Sequence, residues 1–126
     1  MPEKICLYAE NIDKVYPGTL ALDKVCFNVH KGKVNVLVGE NGAGKSTLMK
    51  ILAGIEQPTN GKIYYKNEEI SFSNTSEARS KGIGIIHQEL SLFPNLNVYQ
   101  NIFMGNEITK AGKVDNREHR RKTKEV

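Results

Sequence analysis

Nine consecutive residues, placed after a short apolar run, have the types and the spacing that could hold a chain of phosphates. The run is Val34–Val38, and the residues after it are Gly39, Glu40, Asn41, Gly42, Ala43, Gly44, Lys45, Ser46 and Thr47. They fit the pattern G-x-x-x-x-G-K-[ST] of the phosphate-binding loop, or Walker A motif. The motif requires a strand before it and a helix after it, and the sequence predicts both.

Each residue type in this loop has a physical task. Glycines allow backbone conformations that a side chain would forbid, so we expect Gly39, Gly42 and Gly44 to let the loop approach a ligand closely. The N–H groups of the loop and the following helix N-terminus then form an anion site. Lys45 would place its charge on the outer phosphates, and Ser46 would offer a hydroxyl to Mg²⁺. An ordinary glycine-rich turn is the alternative, and the strand-loop-helix context argues against it.

Length and composition argue against a membrane-spanning protein, a secreted protein and a cysteine-based metal or redox site. The chain has 126 residues, enough for one small domain, and no apolar run approaches the roughly 18 residues of a membrane-spanning helix. The N-terminus lacks the apolar segment of a signal peptide. Cys6 and Cys26 have neither metal-ligand nor redox spacing, so we expect buried free thiols in a reducing cytosol.

The positive charge is concentrated at the C-terminal end. Residues 110–126 carry seven basic and three acidic side chains, which account for the whole net charge of +4. The segment has no aromatic residue to stack on a base, which argues against a nucleic-acid tail and favours a solvated helix face or part of a larger element. Only Val114 and Val126 could face a core there, so we expect that this tail cannot fold alone.

Hydrophobic periodicity and turn signals predict the elements that position the loop. Alternation predicts strands over 5–9 and 25–29, with a turn at 16–18, and the uniformly apolar run at 34–38 predicts a central strand covered on both faces. A helix is expected to follow the loop and end at Ala53-Gly54. The remaining predictions are a strand pair over 62–65 and 69–72 around Asn67, a helix capped by Thr75 or Ser76 and closed at Gly82, a buried strand over 83–86, and a helix from an Asn97–Gln100 capping box to Met104.

The segments around the loop narrow the interpretation. In chain order they are Tyr16-Pro-Gly, Leu48-Met-Lys-Ile-Leu-Ala-Gly, Pro58-Thr-Asn-Gly, Ile86-His-Gln-Glu-Leu and Asn101-Ile-Phe-Met-Gly. This order resembles the ATP-binding subunits of ATP-binding-cassette (ABC) transporters, and the last two segments resemble the ribose and galactoside type of sugar importer. The resemblance implies an α/β fold of the P-loop NTPase class, with a central mixed or parallel sheet and an antiparallel β subdomain, present here in part.

The resemblance also implies roles for two residues outside the loop. Tyr16 would stack on the adenine of ATP, and Gln88 would be the Q-loop glutamine that ligates Mg²⁺ and hydrogen-bonds the attacking water. Each has an ordinary alternative, a tyrosine packed on the sheet edge and a surface glutamine. His87 is expected to be a spacer, because the family's switch histidine lies much later in the chain. The segment from Tyr99 to Met104 could be core packing or a surface for the transporter's cytoplasmic loops.

Several family motifs do not occur in these residues: the signature motif, the Walker B strand with its catalytic glutamate, and the switch histidine. We therefore expect the N-terminal part of an ABC nucleotide-binding domain over 1–109, and the start of a helical subdomain over 110–126. Such a chain is expected to bind MgATP weakly, if at all, and to hydrolyse it negligibly.

In a whole protein, the resemblance implies an ATPase at the cytoplasmic face of the membrane. Its expected partners are a second nucleotide-binding domain, permease subunits and a sugar-binding protein, with no nucleic acid. A non-hydrolysing nucleotide-binding module and another P-loop enzyme, such as a kinase, are the rival interpretations.

Overall fold

The computed structural model describes residues 4–89 and 91–126, and it divides into two compact units, 1–86 and 87–126. The first unit is built on a four-stranded antiparallel sheet in the order β2-β1-β3-β4. Its strands are β1 (Ile5–Tyr16), β2 (Thr19–His30), β3 (Asn60–Tyr65) and β4 (Glu68–Ile70). The unit also contains helices α1 (Lys45–Leu52) and α2 (Thr75–Ser80).

Helix α1 packs its apolar face on the sheet and forms the core with it. Leu48 and Ile51 are three residues apart, so they lie on one face of the helix, and both are almost completely buried. They join buried side chains of the sheet, including Leu7, Ala9 and Ile12. The helix ends as the sequence predicts, with Ala53 as the C-cap and Gly54 at a left-handed φ of 74°.

A β-bulge in β1 changes which face of the strand is buried. Leu7 and Ala9 are buried, and after the bulge at Asn11 the next buried residue is Ile12, so the alternation shifts by one position. At this point β1 has one residue more than β2 in their pairing, and one residue more than β3 in theirs. A Cβ on Gly61 would lie 2.5 Å from the Asn11 carbonyl oxygen, so the neighbouring strand accommodates the bulge only with glycine.

Two predicted strands are not formed. Residues 34–40 and 83–87 have no strand pairing, and Val34, Val36, Val38 and Ile86 are exposed. Leu37 alone in the first run packs against the core. A central strand needs hydrogen-bonded neighbours, and the described part of the chain supplies none for these segments. The predicted central sheet is therefore absent from the described residues, and the antiparallel β subdomain is what they form.

Local predictions elsewhere in the first unit hold with small changes. The β3–β4 hairpin turns through Lys66 and Asn67, both at positive φ, as a two-residue turn of type I′ requires. The cap of α2 is Asn74, one residue before the predicted Thr75, because the Asn74 side chain accepts from the Glu77 amide at 3.0 Å. Cys26 is exposed rather than buried, since it lies on the open face of edge strand β2.

The second unit contains two helices and a small hairpin. Helix α3 (Val98–Phe103) begins with the predicted Asn97–Gln100 capping box, in which both reciprocal hydrogen bonds are 3.0 Å long. Strands β5 (Thr109–Lys110) and β6 (Lys113–Val114) precede α4 (Asn116–Thr123). No helix among residues 4–89 and 91–126 is long and apolar enough to cross a bilayer.

Burial in the second unit differs from the prediction for the basic tail. Val114 and Val126 are exposed, whereas His119 of α4 is buried with only 2% of its surface exposed. Its ring stacks on Phe103 with centroids 4.6 Å apart, and its Nε2 accepts a hydrogen bond from the Ile108 amide at 2.7 Å. The ring proton therefore lies on Nδ1.

Candidate phosphate-binding site

The nine-residue loop runs into the first turn of α1, as the motif predicts, but the segment before it is extended without the predicted strand pairing. Gly42 and Gly44 have φ values of 86° and 89°, which only glycine adopts without strain. Gly44 is also closed in, because a Cβ there would lie 2.6 Å from the Ala21 carbonyl oxygen and from Leu22 Cδ2. The loop thus lies directly against β2.

Gly39 contributes differently from the expectation. Its φ lies outside the left-handed region, and a Cβ there would make ordinary contact with Ala43 Cβ at 3.4 Å. The backbone of Gly39 therefore does not require glycine in this conformation. The residue's contribution visible in the structure is its carbonyl oxygen, which accepts from the Lys45 side chain.

Lys45 folds over its own loop. Its Nζ donates to the carbonyl oxygens of Gly39 and Glu40, each at 2.6 Å. The loop itself is closed by the Ala43 amide, which donates to the Glu40 carbonyl oxygen at 3.2 Å. At the start of α1, the Leu48 amide donates to the Gly44 carbonyl oxygen. The ammonium group is thereby held across the loop, where an anionic ligand would meet it.

The polar residues around Lys45 remain accessible. Glu40, Asn41 and Ser46 are exposed, and the Ser46 hydroxyl makes no hydrogen bond within the described residues. A free hydroxyl in the first turn of α1 is a fitting Mg²⁺ ligand once phosphate oxygens share the ion. The described residues contain no cluster of three or more His, Cys, Asp or Glu side chains that could bind a metal by themselves.

Tyr16 lies at the same end of the unit as the loop. It ends β1 just before the Pro17-Gly18 turn, and its hydroxyl donates to Glu56, the fourth residue after α1. That hydrogen bond, with burial and the charge of Glu56, raises the pKa of Tyr16, while a hydrogen bond with the Thr47 hydroxyl of the loop lowers it. The phenol group is therefore tied to both Glu56 and the loop.

Glu56 is the partner that sequence reasoning missed. The hydrogen bond from Tyr16 is the main cause that lowers the pKa of Glu56, with smaller contributions from the charges of Lys14 and Lys50. The Nζ atoms of these lysines lie 3.6 and 3.7 Å from the carboxylate. No local pattern marks Glu56, because the two side chains meet across 40 positions of sequence.

The remaining predicted residues belong to the second unit. Gln88 and His87 are exposed and lie outside its helices and strands. In the α3 segment, Tyr99 and Phe103 face His119, whereas Val98 and Ile102 are exposed.

Comparison with known proteins places this loop in a family. A family model described as "ABC transporter" matches residues 22–126, which is most of the chain. The chain belongs to the ABC transporter family.

The α/β P-loop fold of this ABC transporter chain is confirmed by solved relatives. It matches a nucleotide-free ATP-binding cassette with a TM-score of 0.75, at 30% identity over 91% of the chain and 44% of the cassette. It also matches the dimeric post-hydrolysis cassette MJ0796 bound to ADP and Pi, with a TM-score of 0.74 and 25% identity, over 94% of this chain and 54% of that one.

Curated relatives of the ABC transporter chain include sugar importers. It is 51% identical over 119 residues to a putative ribose/galactose/methyl galactoside import ATP-binding protein of Halalkalibacterium halodurans, covering 93% of this chain and 23% of the relative. It is 49% identical over 104 residues to the arabinose import ATP-binding protein AraG of Yersinia pestis, covering 82% of this chain and 20% of the relative. The chain thus spans about a fifth of the length of the curated relatives it matches.

Proposed function

We propose that this chain is the ATP-binding part of an ATPase subunit of an ABC transporter that imports sugars. The observation that carries the proposal is the loop 39–47, in which two left-handed glycines precede α1 and Lys45, the first residue of that helix, reaches back across the loop. Both sequence relatives described above are import ATP-binding proteins for sugars, which supports the proposal.

The loop residues would bind the triphosphate of ATP. The amides of residues 39–47 and the N-terminus of α1 supply donors, and Lys45 supplies a positive charge for the outer phosphates. Ser46 would ligate Mg²⁺, which when bound neutralises phosphate charge and fixes the geometry of the transferring group. Tyr16 would stack on adenine, because an aromatic ring offers a flat face to any base.

Gln88 would act in the complete protein as a Mg²⁺ ligand and as the group that orients water. Its exposed amide, outside any helix or strand, supports this role. The partners would be a second nucleotide-binding domain, permease subunits and a sugar-binding protein at the cytoplasmic face of the membrane. The exposed Val98 and Ile102 of α3 would be available to those subunits.

Binding of MgATP to the purified chain, measured by calorimetry, tests the proposal. Lys45→Ala should weaken binding at least about tenfold, because charge-assisted hydrogen bonds to phosphate are roughly twice as strong as neutral ones. Lys81→Ala is the control, since Lys81 is an exposed lysine of the same unit whose side chain has no partner among the described residues. Equal binding by the Lys45→Ala variant and the unsubstituted chain would refute the proposal.

A further inference from the structure

Glu56 and Tyr16 form the centre of a small polar network beside the loop. The Tyr16 hydroxyl donates to Glu56 Oε2, and the Lys14 and Lys50 Nζ atoms lie 3.6 and 3.7 Å from the same carboxylate. The Glu56 side chain is only 23% exposed, so its charge is partly shielded from water. A carboxylate with two lysines and a phenol around it is well satisfied and fixed in place.

The backbone around this pair is fixed independently of Tyr16. The Thr59 amide donates to the Asp13 carbonyl oxygen at 2.8 Å, and the Val15 amide donates to the Thr59 hydroxyl at 3.0 Å. Lys14 Nζ adds a hydrogen bond of 2.8 Å to the Gln57 carbonyl oxygen. These bonds join the end of β1 to the segment after α1, so the carboxylate is held at a set position relative to the strand that carries Tyr16.

The Tyr16 ring is held at its tip and on one face. Lys14 Nζ lies 5.1 Å from the ring centroid, a cation–π distance. The hydroxyl is fixed by Glu56 and neighbours Thr47, so rotation of the side chain would break polar contacts. Tyr16 is only partly buried, so the ring keeps accessible surface for a flat ligand.

We propose that Glu56 is a positioning residue that fixes the Tyr16 ring for stacking on the base of a purine nucleotide. This inference rests on the proposed function, in which Tyr16 contacts adenine. Glu56 touches neither the base nor the phosphates, and it acts through the phenol. Its effect is therefore confined to the base end of the ligand, whereas Lys45 acts at the phosphate end.

A comparison of two ligands separates this role from a general structural one. MgATP carries a base, and magnesium tripolyphosphate offers the same phosphates without one. Glu56→Ala should weaken MgATP binding at least about fivefold, the lower end of the contribution of one stacked base. Binding of tripolyphosphate should stay within about twofold. Glu68→Ala is the control, because Glu68 is an exposed carboxylate of β4 with no partner among the described side chains.

Three further variants test the same contact, and two of them, Tyr16→Phe and Glu56→Gln, do not depend on how well Glu56→Ala folds. Tyr16→Phe keeps the ring and the lysine pairs of Glu56 but loses the hydrogen bond, so it should show the same selective loss for MgATP. Adding Glu56→Ala to it should cost nothing further. Glu56→Gln keeps an acceptor oxygen and should recover most of the affinity.

A spectroscopic readout accompanies the binding data. The hydrogen bond to Glu56 is the main cause that raises the pKa of Tyr16. The pKa of the Tyr16 phenol should therefore be lower in the Glu56→Ala variant than in the unsubstituted chain. Ultraviolet absorbance measures phenol ionisation, and subtracting the signal of the Tyr16→Phe variant isolates the contribution of Tyr16.

The outcomes are distinguishable. Equal weakening of both ligands by Glu56→Ala and by Tyr16→Phe would overturn the positioning role, and so would no weakening of either. Both results leave the proposed function intact as long as Lys45→Ala weakens MgATP binding at least about tenfold. Failure of the unsubstituted chain to bind either ligand would overturn the proposed function, and the positioning role with it.

Discussion

Gly44 combines two constraints that the other loop glycines carry singly or not at all. Its φ of 89° lies in the left-handed region, and a Cβ would approach both the backbone of Ala21 and the side chain of Leu22. Gly42 has the left-handed backbone but open space around it, and Gly39 lies outside the left-handed region with only ordinary contacts. Gly84, which is outside the loop, has neither constraint and serves as a reference. The loop therefore needs glycine at position 44 for its contact with β2 as well as for its own path.

We expect Gly44→Ala to lower the free energy of unfolding of the first unit by about 2–4 kcal/mol, as the sum of left-handed strain and overpacking. Gly42→Ala should cost about 1–2 kcal/mol, the strain alone, and Gly84→Ala should change little. Urea unfolding followed by circular dichroism measures all three. Equal values for the first two variants would show that the contact with β2 contributes nothing.

Individual residues of the site were predictable where their chemistry restricts the residue type. Phosphate binding needs glycine, lysine and a hydroxyl at fixed spacing, and those residues stand in the sequence at 39–47. Glu56 was not predictable, because any surface glutamate could stand at its position and only the fold brings it to Tyr16.

Elements specified by local signals were predicted well, and elements that depend on distant partners were not. The capping box of α3, the cap of α1 and the Asn67 turn are each set by a few adjacent residues, and all three formed. Val34–Val38 has the composition of a buried strand, yet a strand exists only with a neighbour to pair with. The composition of a segment therefore does not show whether it will pair.

At the scale of elements, the burial of His119 differs from the prediction, because this residue lies in a helix whose other residues are mostly charged. Its ring joins α4 to α3 through Phe103 and Tyr99, and its Nε2 holds the amide of Ile108. The sequence around it, Asn-Arg-Glu-His-Arg-Arg-Lys-Thr, predicts a solvated helix. A buried aromatic polar side chain thus performs the packing that an aliphatic residue would perform elsewhere.

We expect His119→Ala to destabilise the second unit by about 2–4 kcal/mol, since it removes the ring stacking and leaves the Ile108 amide without an acceptor. Amide hydrogen exchange measured by nuclear magnetic resonance should show the Ile108 amide exchanging much faster. Arg117→Ala is the control on the same helix, because Arg117 is exposed and has no ion pair among residues 4–89 and 91–126. Unchanged exchange at Ile108 would contradict the hydrogen bond to His119.

At the scale of the whole molecule, apolar surface is exposed beside the phosphate-binding loop. Val34, Val36 and Val38 are 92%, 73% and 86% exposed, in an extended segment whose backbone groups have no strand partner. Extended β-branched segments with free edges pair with other chains. The chain should therefore self-associate as its concentration rises.

Sedimentation velocity over a concentration series tests this expectation against the monomer mass of 14.1 kDa. Replacement of all three valines by serine should shift the chain toward monomer. Val114→Ser with Val126→Ser is the control, because these valines are also exposed but belong to the second unit. A monodisperse monomer for the unsubstituted chain at all concentrations would refute the prediction.

The single extra residue at Asn11 decides which side chain β1 delivers to its far end. Without it the alternation set by Leu7 and Ala9 would continue, and Val15 would take the inward orientation that Tyr16 now has. An aromatic side chain at this end of the strand would then be replaced by an aliphatic one with no hydroxyl to anchor. Gly61, on a different strand and 50 positions after Asn11, makes room for that extra residue, so a change at this glycine would affect which side chain stands at the far end of β1.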